Sequence, residues 1–495
     1  MTVKLDGRSL TLEDFTKVAK GEKVKISAPS IRRMEKFRAL LEEKLSSGEV
    51  VYGVNTGFGS LSDKAVPIEN LKQHQLNLIR SHSAGVGQPM PKEVVRGAML
   101  LRLNSLLNGN SAIRGTTAAL LADMLNNHVT PMVPAFGSLG ASGDLVPSAH
   151  VTLTMIGEGK ALVGDTLVDS GKALKERGLK PIELGAKEGL SLINGTCFTT
   201  ALAALCISAG KSLLDAANCS VALTAEALHA CTDSFDARLM RLKNSKGQEQ
   251  VAKRIRQMLR GSERVRAEPV PQDPYSVRCA PQVHGSVKEA LDFAGRITLR
   301  EMNSVSDNPI LLEDGSVLHG GNFHAQAVAM ASDLLSLAVA YIGVISLARV
   351  RLLLSRSPPE RRYMAKKPGL ESGLMILEYT ASALAADNAK QSHPLSAYPA
   401  NVSGGIEDHA SYGVNAGSKA MSVEENVSKI LAIEMICASN LVGADLKGVS
   451  RFCRGVYGSV REVSPLLAGD RSMAAEVESL SRGILRGSLL AHARE

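Results

Sequence analysis

Tryptophan is absent from this 495-residue chain, and tyrosine and phenylalanine are so few that aromatics make up only 3% of it. An aromatic core is therefore excluded. Leu, Ala, Val, Ile and Met must fill the interior, and richness in Ala and Leu favours helix over strand. The seven cysteines are odd in number and form no Cys-x-x-Cys pair, which argues against a disulfide framework or a thiolate metal site. The eleven histidines show no His-Glu-x-x-His or similar ligand spacing, so no metal is expected. No strand–glycine loop–helix unit carries Gly-x-Gly-x-x-Gly, so no nucleotide is expected either. Repeats of fixed period and low-complexity tails are also missing.

Charge and hydropathy exclude more. Lys and Arg number 57 against 49 Asp and Glu, a net +8, but the basic residues are scattered along the chain. The densest run, residues 356–367, lacks interleaved aromatics and reads as a solvated loop, so no nucleic-acid partner is expected. Residues 334–348 are uncharged but too short to span a membrane comfortably. Residues 189–210 carry Asn194, three threonines and two serines. Both stretches read as buried helices, and no membrane partner is expected. With no signal peptide at Met1-Thr2-Val3-Lys4, the cysteine usage points to a reducing cytoplasm.

Helical periodicity dominates what is present. Thr11-Leu12-Glu13-Asp14 opens a short helix that stops near Gly21. Ser30 is expected to cap an amphipathic helix with Ile31, Met34, Phe37, Leu41 and Leu45 on one face, ended by Gly48. Residues 94–107 repeat the pattern. Hairpins are expected at Gly164-Asp165 and at Asp314-Gly315. Long Ala/Leu-rich segments cover 198–229, 287–303, 325–354, 373–386, 423–441 and 474–490, apolar on every side. The expected fold is mainly α: a long central helical bundle with small β-hairpins and a loop-rich N-terminal part. Length alone allows two to four domains; the division expected is 1–190 and 191–495, within one continuous unit.

Six polar motifs interrupt this aliphatic background, most of them flanked by glycine or proline as loops and helix ends are. They are Tyr52-Gly53-Val54-Asn55-Thr56-Gly57-Phe58-Gly59, Ser81-His82-Ser83-Ala84-Gly85, Asn194-Gly195-Thr196, Gln272-Asp273-Pro274-Tyr275-Ser276-Val277-Arg278, Gly321-Asn322-Phe323-His324 and Glu407-Asp408-His409. A further stretch, Gly137-Ser138-Leu139-Gly140-Ala141-Ser142-Gly143-Asp144-Leu145, holds a tripeptide with its own chemistry. If the Gly143 nitrogen closes onto the Ala141 carbonyl and Ser142 sheds its hydroxyl, the backbone becomes a methylidene-imidazolone. Only a residue without Cβ lets the backbone approach that closely. Taken alone, Ala-Ser-Gly is an ordinary glycine-rich loop.

In this company it is not alone. From about Tyr52 to His409 the motifs occur in the order of the aromatic amino acid ammonia-lyases, and the chain resembles that family. The resemblance implies a prosthetic 4-methylidene-imidazol-5-one (MIO) formed from Ala141, Ser142 and Gly143, which activates the substrate amine for departure. It implies that Tyr52 removes the β-proton and that Arg278 binds the substrate carboxylate. Asn194, Gln272 and Tyr275 would surround the reactive centre, Tyr275 among the catalytic residues, with Phe323 as a wall. His82 and Glu407 match positions associated with histidine as substrate, so the implied reaction is deamination of L-histidine to trans-urocanate. Tyrosine or phenylalanine deamination, or an aminomutase, is the alternative on the same scaffold. Cys197 and Ile406 stand where glutamine is expected in bacterial histidine enzymes, and both are expected near the pocket. The resemblance also implies helix N-termini aimed at the ring, and a homotetramer with active sites shared between subunits.

Overall fold

A computed structural model describes residues 2–266 and 272–489. Two compact units emerge, each assembled from three segments. One comprises Met1–Leu205, Gly295–Ser332 and Pro394–Ser418; the other comprises Cys206–Ala294, Asp333–His393 and Lys419–Glu495. The long helices Cys197–Leu228, Ala280–Met302, Gln326–Ser355 and Gly413–Val442 each contribute residues to both sets of segments.

The first unit holds α1 (Leu12–Ala19), α2 (Ala28–Ser46), α3 (Leu71–His82), α4 (Lys92–Leu106), α5 (Gly115–Asn126), α6 (Leu145–Met155), α7 (Ser170–Glu176) and α8 (Glu188–Ile193). Following in the chain are α9 (Cys197–Leu228), α10 (Ala237–Lys243), α11 (Lys246–Met258), α12 (Tyr275–Arg278), α13 (Ala280–Met302) and α14 (Gln326–Ser355). Last come α15 (Met375–Gln391), α16 (Gly413–Val442), α17 (Arg451–Val463) and α18 (Ala474–Arg486). The mainly helical expectation holds. Both hairpins are present, at Lys160–Val163 with Thr166–Asp169 and at Ile310–Leu311 with Val317–Leu318. The expected last helix ends at Arg486, and Leu490 lies outside the described residues.

Several boundaries differ for physical reasons. Ser27, not Ser30, caps α2, and the Ser30 amide donates to the Ser27 hydroxyl. Pro29 sits in the first turn, where its missing N–H costs nothing, so the helix starts earlier. Two helices begin well before their apolar runs, α13 at Ala280 and α16 at Gly413. Their opening turns are rich in small and polar residues and form because neighbours pack closely on them. A Cβ on Gly417 would meet Leu202 at 2.6 Å, and one on Gly285 would meet the Gln248 backbone at 2.5 Å. By length and composition α9 and α14 could cross a membrane, but 72% of the apolar window of each is buried within the protein, as in core helices. All seven cysteines are free thiols.

Within the first unit, α4 is buried from Val94 to Leu106 and forms its axis. Phe37 and Leu41 of α2 pack with Ala112 and with Leu311 of the second hairpin, so the N-terminal helices and the 310–318 hairpin share a core. Asn104 and Asn303 add polar ties: Asn104 donates to the Met302 carbonyl, and Asn303 accepts from the Leu10 amide. Phe37 is only 2% exposed. Phe37→Ala is expected to cost about 3–5 kcal/mol through lost burial and the cavity left behind, read as a lower urea midpoint.

Candidate active site

The tripeptide Ala141-Ser142-Gly143 is separated from α6 only by its N-cap, Asp144. Gly143 has φ +80° and pairs in a parallel bridge with Gly195; a Cβ there would lie 2.4 Å from the Gly195 oxygen. Glycine is the residue that fits both the dihedral and the space. The Asp144 amide donates to the same oxygen at 2.7 Å. On the other side, the carbonyls of Leu139 and Gly140 accept from the amides of Tyr412 and Ser411 at 3.1 and 3.2 Å. The loop is thereby clamped at both ends, with the start of α9 alongside.

Asp144 is fully buried. Its carboxylate accepts from the amide and hydroxyl of Thr199, in the first turn of α9, each at 2.8 Å. Burial pushes the carboxyl up to about 6 against these stabilising bonds. A carboxylate at a helix N-terminus is favourably placed.

One cavity of about 550 Å3 opens over the tripeptide, lined wholly by residues of the first unit. It brings together seven of the residues expected from sequence: Tyr52, His82, Ala141, Ser142, Asn194, Phe323 and Glu407. Gly143 lies behind them against Gly195. Asn194, which follows α8 directly, donates from Nδ2 to the Ser142 carbonyl at 2.9 Å. Its Oδ1 is buried without a partner among the described residues. The Ser142 hydroxyl donates to Glu407 Oε1 at 3.0 Å. Tyr52 accepts at its hydroxyl from the Gly59 amide at 2.9 Å. The loop around it is held by His74 of α3, whose ring stacks on Phe58 at 4.4 Å and bonds the Thr56 carbonyl at 3.1 Å.

His82 ends α3. Burial lowers its pKa, which favours the neutral ring. Its Nδ1 lies 3.0 Å from the Ser81 hydroxyl, which also reaches the Leu78 carbonyl at 3.1 Å.

Other cavity residues carried no sequence signal of their own, among them Asn308 and His319. His319 meets the Tyr52 ring edge-on at 5.9 Å. His324 and His409 fell inside recognised motifs without an assigned part; their rings stack at 5.3 Å and both line the cavity. Cys197 does not reach the cavity. It borders a separate void of about 10 Å3 with Ser148 and Arg102, 3.4 Å from the Ser148 hydroxyl. Of the two departures from glutamine, only Ile406 lines this cavity.

Gln272, Tyr275 and Arg278 belong to the second unit and are not among the cavity's lining residues. Gln272 and Arg278 border a depression of about 350 Å3 with Asp273 and Cys231. The Arg278 guanidinium lies 4.5 Å over the Tyr275 ring, and its buried Nε has no partner among the described residues.

A helical scaffold that holds Gly-Ala-Ser-Gly-Asp open to a polar cavity, with a tyrosine loop on the wall and an asparagine on the serine carbonyl, defines the ammonia-lyase class. A profile of the aromatic amino acid lyases matches residues 10–462. The chain belongs to the aromatic amino acid lyase family. A histidine ammonia-lyase of Natranaerobius thermophilus is 41% identical over 498 residues, covering 99% of this chain and 98% of its own. The crystal structure of histidine ammonia-lyase from Trypanosoma cruzi superposes with a TM-score of 0.92 at 36% identity, covering 100% of this chain and 95% of that one. Tyrosine aminomutase from Streptomyces globisporus gives a TM-score of 0.94 at 34% identity, covering 100% and 99%.

The raised pKa of Asp144 has a definite sign. Its contribution to stability is fully present below the ordinary value of 3.8 and is lost as pH rises through about 6. Chemical denaturation of the native protein and Asp144→Asn across this range is expected to show the native protein losing stability relative to the variant as pH rises, with a flat difference above it.

Proposed function

We propose that this chain removes ammonia from L-histidine without oxidation, giving trans-urocanate, with MIO formed from its own Ala141-Ser142-Gly143. The observation that carries the proposal is a histidine and a carboxylate, His82 and Glu407, sharing one cavity with Ser142, Glu407 at hydrogen-bond distance from it. Both can accept hydrogen bonds, and an imidazole side chain brings N–H donors to meet them. A phenylalanine side chain would leave both unpaired, which is costly in a buried site.

The residues at the tripeptide fit the ring. Glycine at 143 leaves room for backbone closure, Asn194 already holds the Ser142 carbonyl, and the N-terminal ends of α6 and α9 adjoin. When formed, the ring supplies an electrophilic exocyclic double bond. Asn194 and the two helix starts would hold it, their N–H groups favouring negative charge. Tyr52, tied at its oxygen to the Gly59 amide, takes the β-proton. His82 and Glu407 orient the side chain, and Arg278 holds the carboxylate through its planar fork. Fixing both ends of the substrate supplies part of the acceleration.

Arg278, Gln272 and Tyr275 reach the cavity from another copy of the chain, in a cytoplasmic homotetramer with shared sites. Two features support this. The buried Arg278 Nε lacks a partner among the described residues, and an apolar groove of about 630 Å3 lies open beside Tyr275. Leu337, Tyr341 and Val344 of α14 are exposed at 39%, 46% and 58%, a seam for a second helix surface. The free cysteines suit the cytoplasm. Ile406 favours the second reading, a tyrosine or phenylalanine substrate or an aminomutase, because it presents an apolar surface on the cavity wall.

Offered histidine, tyrosine and phenylalanine in parallel, the protein is expected to yield urocanate absorbance and ammonia from histidine alone; a β-amino acid product would establish the mutase instead. Ser142→Ala should lose turnover while circular dichroism stays unchanged, and the mature protein should weigh two waters less than its sequence. Mixing and reassembling inactive Tyr52→Phe and Arg278→Met chains should restore part of the activity, because some sites then combine two intact copies. No recovery in mixed tetramers would defeat the shared site.

A further inference from the structure

Among the described residues the largest fully buried side chain is charged: Arg349, on α14. Its partner is Glu434 of α16, equally buried, and both belong to the second unit. Arg349 Nε donates to Oε1 at 2.6 Å and the second guanidinium nitrogen to Oε2 at 2.8 Å, a bidentate fork. Ser346 donates to Oε2 at 2.6 Å and Thr224 to Oε1 at 2.8 Å, so the carboxylate accepts four hydrogen bonds. One guanidinium nitrogen points elsewhere. It donates to the backbone carbonyl of Ser276 at 3.1 Å.

Stability alone does not account for this arrangement. Removing two charges from water is expensive, and a well-packed apolar pair of the same volume is often as stable or more so. What an apolar pair lacks is a fixed donor aimed at one carbonyl. Ser276 lies within α12, the four-residue turn that also carries Tyr275 and Arg278. On that turn Arg278 stacks over Tyr275 and keeps a buried Nε without a partner among the described residues. The pair thus grips the backbone two residues before the guanidinium whose direction matters.

We infer that Arg349 and Glu434 are positioning residues that hold α12 through the Ser276 carbonyl, and so set the aim of Arg278 at the substrate carboxylate. The inference rests on the carboxylate role proposed above for Arg278. A planar fork locked by Glu434 offers the third nitrogen in one direction only, which a flexible lysine does not.

The test compares two competitive inhibitors of the assembled enzyme, imidazole-4-propionate, which carries the carboxylate, and 4-ethylimidazole, which lacks it. The ratio of their inhibition constants reads carboxylate recognition alone. In the double variant Arg349→Met/Glu434→Leu, with assembly checked by light scattering, the preference for the propionate is expected to fall about tenfold. The histidine KM should rise by a similar factor while kcat changes little. Arg349→Lys keeps the charge balance but loses the fork, and should show the same loss if the double variant does not assemble. Arg278→Met serves as reference and should abolish the preference. Loss of preference in Arg278→Met together with an unchanged ratio in the Arg349 variants would overturn the inference, because a merely structural pair weakens both inhibitors alike. An unchanged ratio in Arg278→Met would instead overturn the carboxylate role of Arg278, and the inference with it.

Discussion

The site is organised around one close approach of backbone to backbone, Gly143 against Gly195. The two residues pair at a separation that leaves no space for a Cβ on Gly143, and the Asp144 amide seals the contact on the Gly195 oxygen. Much else follows from it. The tripeptide lies beside the turn that joins α8 to α9, so Asn194 can reach the Ser142 carbonyl. The starts of α6 and α9 come to the same place, and their unsatisfied N–H groups give it a positive character. Asp144 satisfies part of this, bound to Thr199 in the opening turn of α9. An electrophile needs such surroundings when negative charge develops on it.

Around that contact the protein divides its tasks by chemistry. Aliphatic helices supply volume and rigidity, and most of the polar groups around the cavity come from loops and helix ends. The helix α3 shows how economically this works. His74 near its start clamps the loop that carries Tyr52, Gln75 donates to the Gly53 carbonyl, and His82 at its end lines the cavity. One rigid helix therefore sets both the loop that bears the proposed base and the histidine proposed to meet the substrate side chain. In the second unit the same logic recurs in a buried ion pair, which grips the short turn bearing Arg278 rather than the substrate itself.

Much of this was legible in the residues. The tripeptide, the Tyr52 loop, His82, Asn194, Phe323 and Glu407 were recognisable as motifs because each breaks an aliphatic pattern with glycines and polar atoms, and they meet in one cavity. Both hairpins were legible from their turn residues. Less so were the helix starts. The openings of α13 and α16 are polar or small, and they are helical because neighbouring backbone packs against them, which periodicity does not register. Ser30 looked like a cap, but Pro29 placed the true start at Ala28. Cys197 was expected near the substrate and faces a separate void, since its position on α9 turns it toward Ser148.

Residue types and their order were enough to point to the helical class, the aromatic amino acid lyase family and the tripeptide at which the cavity opens, because those depend on local composition and on which side chains are available. Tertiary structure alone decided which of the named residues share a cavity in one chain. It left Gln272, Tyr275 and Arg278 off the lining of that cavity, assigned Ser142 to Glu407, and buried a charged pair beneath the turn of Arg278. The reason is physical: distance, burial and hydrogen-bond partnership arise between segments far apart in the chain, and no local pattern encodes which of them will touch.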